Sequence, residues 1–389
     1  MGESSKEKKS KKQKRHHDSD KKKAGKRPSA ADEPMSAADD AGDDEPGPSG
    51  RKWTLSLAVP GTLLDQPLSP EVAVCVAGQI ARAAAAFQVD ELVVYDDSPV
   101  ATATQPAATI TPGTALLARV LQFLDTPLHL RPNMYGDPQQ LPPELRLAAA
   151  LPAADPPHHA RPSGTWMPYR EGVVLKSEQG SGSYVDVGLD RMVWLEQELP
   201  QSTRVTVHLG DLEPETRFMA AYSETMIVGK VVPPSQPRET LGLYWGYTVR
   251  IALGLPRVFR DAAVSRSGKY DLTIGSSPAG APTDPGSLVL PSFKHTLVVF
   301  GGGGGGGGSG AGGGVKAAGA GGTKVQAVQQ DLEQLVSRVP DWEHKLPSDV
   351  FNLYLNTTPH LGTRHLRTED AVPIALSYLI TPILKYGKQ

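Results

Sequence analysis

Apolar and polar positions follow one pattern at both ends of the chain and another in the middle. From Trp53 to Val59 apolar residues alternate with small polar ones, which predicts a strand. Ser69-Pro70-Glu71 marks a helix start, with a capping serine, proline at the first helical position and an acid near the positive end of the helix dipole. That helix runs to about Phe87. Glu91–Tyr95 (ELVVY) is a short apolar run, expected to be a strand covered on both faces. Strand, helix and strand in quick succession make a βαβ unit and a parallel sheet. Thr114–Leu124 reads as a second helix. Near residue 168 the period changes to five short β-rich runs: 171–176, 182–188, 191–196, 203–209 and 226–233. Close-set strands of this length form either a small closed barrel of the oligonucleotide-binding type or a plain meander.

The α/β pattern then returns. Strands are predicted at Tyr247–Leu253, Tyr270–Ile274, His295–Phe300 and Val350–Leu355, and a helix at Lys324–Arg338. In the final helix, Thr368–Leu384, the residues Val372, Leu376, Leu379, Ile380 and Ile383 recur at helical intervals. Pro373 is assigned to its first turn, which makes Asp370 the expected cap rather than Thr368. The reading divides the chain into a tail (1–50), a first α/β part (51–164), an inserted barrel (165–240) and a second α/β part (241–389). A β-barrel interrupting an α/β chain suggests an insertion that presents a substrate to a catalytic body.

Composition changes this picture mainly through clustering. The 40 glycines and 35 prolines of the 389 residues concentrate in loops at 97–113, 276–287 and 301–322. The last of these is almost pure Gly, Ser and Ala and is expected to be a flexible insert. The near-neutral total charge conceals an uneven split. Twelve of the first 27 residues are Lys or Arg, whereas residues 51–389 hold 28 Lys+Arg against 31 Asp+Glu. The tail has no apolar stretch for a secretory signal and nothing to bury, so disorder is expected. Its basic clusters, Lys11-Lys12-Gln13-Lys14-Arg15 and Lys21 to Arg27, resemble a two-part nuclear import signal or an RNA-tethering arm, and a solubilising tail is the plainer alternative. Acidic residues take over from Asp32 to Glu45. No apolar run approaches membrane-spanning length. The single cysteine, Cys75, excludes an intrachain disulfide and any Cys-based zinc site, and is expected to be a small core residue.

Most motifs carry no chemistry. The poly-Gly run fits a dinucleotide fingerprint trivially, but no acidic residue follows on a second strand, and no Gly-Lys-Ser/Thr ending makes a phosphate loop. His158-His159 has no third ligand, so no metal site is expected. Tyr184, Trp194 and Phe218 offer stacking faces for bases or are ordinary core and rim residues. The informative stretch is VFNLYLNTTPHLGTRHLRTEDAV (350–372), where a buried strand leads into a loop with Arg364 and Arg367 and then a helix. Glycine at 362 permits close backbone approach to a ligand, and the arginines suit phosphate or carboxylate. A solvated, capped loop is the alternative.

With this stretch, the segments LSLAVPGTLLD (55–65), AGQIARAAAAFQVDELVVYDD (77–97), PHHARP (157–162), YREGVV (169–174), GLYWGYTVRIA (242–252), YDLTIGSS (270–277), HTLVVFGG (295–302) and LYLNTTPHLGTRHLRTEDA (353–371) appear in order. Together they resemble the SPOUT superfamily of S-adenosylmethionine-dependent RNA methyltransferases, in the archaeal–eukaryotic group with an oligonucleotide-binding-type barrel inserted in the catalytic domain. The resemblance implies an α/β fold with a C-terminal trefoil knot. It also implies S-adenosylmethionine as cofactor, ribosomal RNA as partner, uracil N3 as the favoured acceptor and a homodimer formed through the last helix, while the basic clusters of the tail point to a nuclear, nucleolar location. It assigns cofactor contacts, largely through backbone, to Thr273, Ser276, Ser277, Lys294, Val299, Phe300, Gly301, Gly302, Asn356, Leu361, Gly362, Thr363, Leu366 and Thr368. Loss of the N3 proton calls for a nearby positive charge. Arg364 is the first candidate, with Arg250 and Arg367 behind it, although the same arginines suit phosphate gripping. Asp271 is the candidate base, or only a turn cap. The alternative function is a non-catalytic RNA-binding or ribosome-assembly factor that keeps the fold.

Overall fold

The computed structural model describes residues 50–98, 110–159, 166–211, 214–220, 222–302, 331–363 and 366–388. The tail, the Gly-rich insert from 303 onward and Arg364 lie outside the described residues.

The first α/β part contains β1 (Thr54–Pro60), α1 (Pro70–Ala86), β2 (Glu91–Asp96), α2 (Pro112–Asp125), α3 (Arg131–Tyr135) and α4 (Pro143–Ala149). The Ser69 side chain accepts from Val72 N, and Pro70 opens α1 as expected. α2 starts two residues earlier than predicted because Thr111-Pro112 repeats the same device, Thr111 accepting from Thr114 N. The middle part contains β3 (Tyr169–Glu178), β4 (Gly182–Asp186), β5 (Val193–Leu195), β6 (Arg204–His208), β7 (Thr216–Met219) and β8 (Glu224–Val232). The last part contains α5 (Gln236–Leu241), β9 (Thr248–Leu253), α6 (Leu255–Val258), β10 (Leu272–Pro282), β11 (His295–Phe300), α7 (Leu332–Ser337), α8 (Pro347–Val350), β12 (Leu353–Asn356) and α9 (Thr368–Tyr386).

Six strands form one sheet in the order β12-β10-β11-β1-β2-β9. Each neighbouring pair is parallel. Both faces are covered, as a parallel sheet requires. On one side Leu55, Leu57 and Val94 pack with α1, α2 and α9, and on the other Ala58, Val93 and Val299 pack with α6, α7 and Phe351. The middle part is a separate β-barrel. β3, β4, β5, β8 and β6 pair in turn, and the parallel β5–β8 pairing closes the ring, so the meander is excluded. β7 is an added hairpin strand on β8 that the sequence pattern missed.

The barrel is seated on the α/β body through Asp125 at the end of α2. Arg204 of β6 donates to Asp125 Oδ2 at 3.0 Å and to Glu171 Oε2 of β3 at 2.6 Å. Tyr247 N donates to Asp125 Oδ1 at 3.1 Å. His158 and His159 each place Nε2 2.9 Å from the Asp125 main-chain oxygen, which explains the His-His pair without a metal. Burial opposes the charge on Asp125, but attraction to His158 and Arg204 prevails and holds its carboxyl well below the ordinary range. Trp245 Nε1 donates to Glu171 Oε1 and completes the joint.

Four expectations need correction. Cys75 is exposed, because Ala73, Val74, Val76 and Ala77 put the other side of α1 into the core. β10 continues through the expected loop to Pro282, with an irregularity between Ser276 and Ala281 where it pairs with β12. α9 begins at Thr368, capped by Arg367. Asp370 is not the cap, since its carboxylate accepts from Gln79 of α1, and Pro373 lies beyond the first turn. α7 is described only over Leu332–Ser337, and residues 324–330 of that expected helix lie outside the described residues.

Candidate functional site

Because the sheet is parallel, the C-terminal ends of its strands share one edge, the usual place for a ligand in such a sheet. Ser276, Phe300 and Leu355 are in one row across β10, β11 and β12. The residues that follow them, Ser277 still within β10, Gly301 just past β11 and Asn356 at the end of β12, lead on from that row. The start of α9 closes the arrangement, with Thr368 Oγ1 donating to the Gly301 carbonyl at 3.1 Å. The three segments expected to hold a cofactor therefore meet at one edge.

Several of the expected contact residues build this edge. Ser276 Oγ and Thr357 Oγ1 are 3.1 Å apart, tying β10 to the residues after β12. Asn356 Nδ2 donates to Pro278 O at 2.9 Å, and its Oδ1 accepts from Thr358 N. Ser277 is buried and its hydroxyl accepts from Ala279 N. Thr273 sits three residues earlier on β10, where its N–H and hydroxyl both reach Asn352 Oδ1. Val299 and Phe300 have buried side chains, so only their backbone is available at the edge. The Phe300 carbonyl is itself taken, accepting from Tyr95 OH at 2.5 Å. Leu361, Gly362 and Thr363 are exposed, and Leu366 is half-buried. A Cβ added at Gly362 would meet nothing within 4 Å, so in this structure no close approach demands glycine there.

Three expected residues lie elsewhere. Lys294 precedes β11, at the opposite end of the strand, where its N–H donates to Asp271 Oδ2 at 2.8 Å. Asp271 also accepts from His295 N and so caps the start of β11 on that far edge. Arg250 is on β9, three strands away from β11. Its Nε donates to the fully buried Glu91 at 3.0 Å, its Nη2 donates to Val258 O and Tyr270 OH, and its Nη1 donates to Arg257 O. Ser56, Tyr270 and Ala263 N also donate to Glu91. This network neutralises one buried carboxylate and leaves Arg250 no hand for a substrate. Arg367 is at the site, as the cap of α9, with its Nε on Glu369 Oε1 and 44% of its side chain exposed.

Three neighbours of the edge escape sequence reasoning. Tyr95 reads as an ordinary apolar strand residue, yet its hydroxyl fixes the Phe300 carbonyl, and burial pushes its pKa well above the usual value. Asp97 follows β2 and is 2% exposed; both its oxygens accept from Thr62 Oγ1, and Oδ1 also from Thr62 N. Burial raises its pKa to about 6 against the pull of those hydrogen bonds. Glu369 looks like a dipole-complementing acid in a first helical turn. Such an acid is expected in solvent, whereas Glu369 is 4% exposed.

On the barrel, Tyr184 is buried against Tyr222, with ring centres 4.6 Å apart, so it does not offer a free face. Arg217 lies over the Trp194 ring at 5.1 Å, and Phe218 beside it is 63% exposed.

Residues 54–379 match a family model described as "Putative RNA methyltransferase". The chain belongs to this family of SPOUT RNA methyltransferases. A human relative named 28S rRNA (uridine-N(3))-methyltransferase is 37% identical over 351 residues, covering 87% of this chain and 81% of the relative. A relative of the same name from Drosophila melanogaster is 33% identical over 349 residues, covering 86% of this chain and 63% of its own. An uncharacterized protein from Haloarcula marismortui is 26% identical over 339 residues, covering 84% of this chain and 98% of its own length. The SPOUT chain is thus a methyltransferase. Among its described residues no cluster of three or more His, Cys, Asp or Glu could hold a metal, and no helix is long and apolar enough to cross a membrane.

Proposed function

We propose that this SPOUT enzyme transfers a methyl group from S-adenosylmethionine to N3 of a uridine in ribosomal RNA. The observation that carries the reading is the convergence of segments of β10, β11 and β12 with the start of α9 around Gly301. The donor set there suits the cofactor. It combines exposed main chain at 361–363 with hydroxyls at Ser276, Thr357 and Thr368. Gly301, Gly302, Asn356, the 361–363 loop and Thr368 would hold it. When bound, the sulfonium supplies an activated methyl group, and the protein's task is alignment. Tyr95 and Thr368 fix the carbonyls of Phe300 and Gly301, so the turn after β11 is set before a ligand arrives. Arg367, held at Nε, would offer its two terminal nitrogens, unbonded among the described residues, to the uracil oxygens or a phosphate.

The same reading includes a trefoil knot in the C-terminal α/β part (241–389) and a barrel of the oligonucleotide-binding type. The barrel's closed strand order, β3-β4-β5-β8-β6, supports the latter. It includes a homodimer through α9, supported by exposed Ile374 (42%) and Leu384 (59%) on that helix. A nuclear location rests on the basic tail. Calorimetry on the purified chain is expected to give saturable S-adenosylmethionine binding, and depletion in cells is expected to remove an N3-methyluridine from ribosomal RNA. A chain that binds no S-adenosylmethionine overturns the reading.

A further inference from the structure

The buried acid at the start of α9 has chemistry to spare. Glu369 is 4% exposed, and its Oε1 accepts from Arg367 Nε. Its Oε2 is buried and has no hydrogen-bond partner among the described residues. Leaving a carboxylate oxygen in that state costs free energy, so a donor that arrives with a ligand is the economical explanation. The preceding residue, Thr368, binds the Gly301 carbonyl, which puts Glu369 in the turn of helix that meets the cofactor-side loop. α9 is 19 residues long, and α1 packs along it. From α1, Gln79 donates to Asp370, not to Glu369; β11 brings only apolar side chains and main chain to this end. Among the described residues, the charged side chain in contact with Glu369 is Arg367.

Other carboxylates near the sheet are already committed. Asp271 caps the far edge. Both oxygens of Asp97 are occupied by Thr62. Glu91 serves Arg250, Tyr270, Ser56 and Ala263 N.

We propose that Glu369 is the proton acceptor for the uracil N3–H, an inference that rests on the methyltransferase reading above. The N3–H bond breaks, the proton goes to Glu369 Oε2, and the electron pair stays on N3. That pair forms the N–CH3 bond as the donor's S–CH3 bond breaks, with its electrons remaining on sulfur. Arg367 makes the exchange favourable: negative charge moves from Glu369 to the uracil while the guanidinium stays beside both, so the site's total charge does not change.

The test uses the full chain, S-adenosylmethionine and ribosomal RNA from cells depleted of the protein, under single-turnover conditions. Glu369→Gln is expected to bind S-adenosylmethionine and RNA within about twofold of wild type, while methyl transfer falls by roughly 10²–10⁴, the usual worth of a general base. The wild-type rate is expected to rise with pH through one acidic step and level off. Glu369→Gln should lose that step, and Glu369→Asp should restore it at a lower rate. A Gln variant with the wild-type rate, or one whose defect disappears at saturating cofactor, overturns the assignment. If Glu369→Gln does not fold, the wild-type profile decides, because a rate without the acidic step excludes a carboxylate base. Wild-type chain that fails to bind cofactor would instead refute the underlying reading.

Discussion

Asp97 is a residue whose environment makes a measurable demand. Burial holds its carboxyl at about 6, above the ordinary value of 3.8. The protonated form is therefore the one that folding favours. Its contribution is fully present below about pH 4 and is lost as pH rises through 6. The substitution Asp97→Asn would keep an amide oxygen to accept from Thr62 N and Oγ1, without the buried charge. Urea unfolding of wild type and Asp97→Asn should therefore agree near pH 4, and the variant should gain about 3 kcal/mol relative to wild type by pH 7.5. Parallel stability curves across that interval would refute the burial argument. Nothing in the run ELVVYDD marks this residue, because its state comes from burial in the fold, and its hydrogen-bond partner Thr62 is 35 positions away in sequence. Arg250 gives the opposite lesson. Its residue type suits the chemistry, but its placement depends on Glu91, and only the fold brings that pair together.

At the scale of elements, strands and long helices are legible because their signals are local. Ser69-Pro70 and the apolar period of α9 announce themselves within a few residues. The start of α9 defeats a cap rule, since the tie from Thr368 to Gly301 spans 67 residues. The far course of β10 is hidden because a Pro/Gly/Ala composition suggests a loop, while β12 supplies a partner as far as Asn356. The three cofactor-side loops come from the family resemblance, and parallel strand order explains why they share an edge. The barrel's seat is not legible at all: Arg204, Glu171 and Asp125 come from three elements. Arg204→Ala would leave two buried carboxylates, 4% and 5% exposed at the side chain, without their shared cation. About a quarter of the Arg204 side chain still meets solvent, so the loss should sit at the lower end for a broken buried pair, about 3 kcal/mol. Chemical denaturation reads this directly. If the variant loses less than about 1 kcal/mol, the joint is not held by these charges.

For the whole molecule, charge and catalysis are assigned to different parts of the chain. Residues 51–389 carry 28 Lys+Arg against 31 Asp+Glu, so the folded part gives RNA no general attraction. The first 27 residues carry 12 Lys+Arg and none of the cofactor-side residues. Phosphate binding by such an arm acts through counterion release, with a slope of about −0.7 per phosphate neutralised on single strands. Removing residues 1–28 should therefore weaken RNA binding about tenfold or more near 50 mM salt and flatten the dependence of log affinity on log salt. The two proteins should converge as salt rises, because the phosphate contacts of the arm are the ones that salt displaces. S-adenosylmethionine affinity should be unchanged, since the residues proposed to hold it lie on or beside β10, β11, β12 and α9. Fluorescence anisotropy with a ribosomal RNA fragment across a salt series measures the first effect, and calorimetry measures the second. An unchanged salt slope would move the electrostatic grip onto the folded part, where the acidic balance leaves only local arginines to supply it.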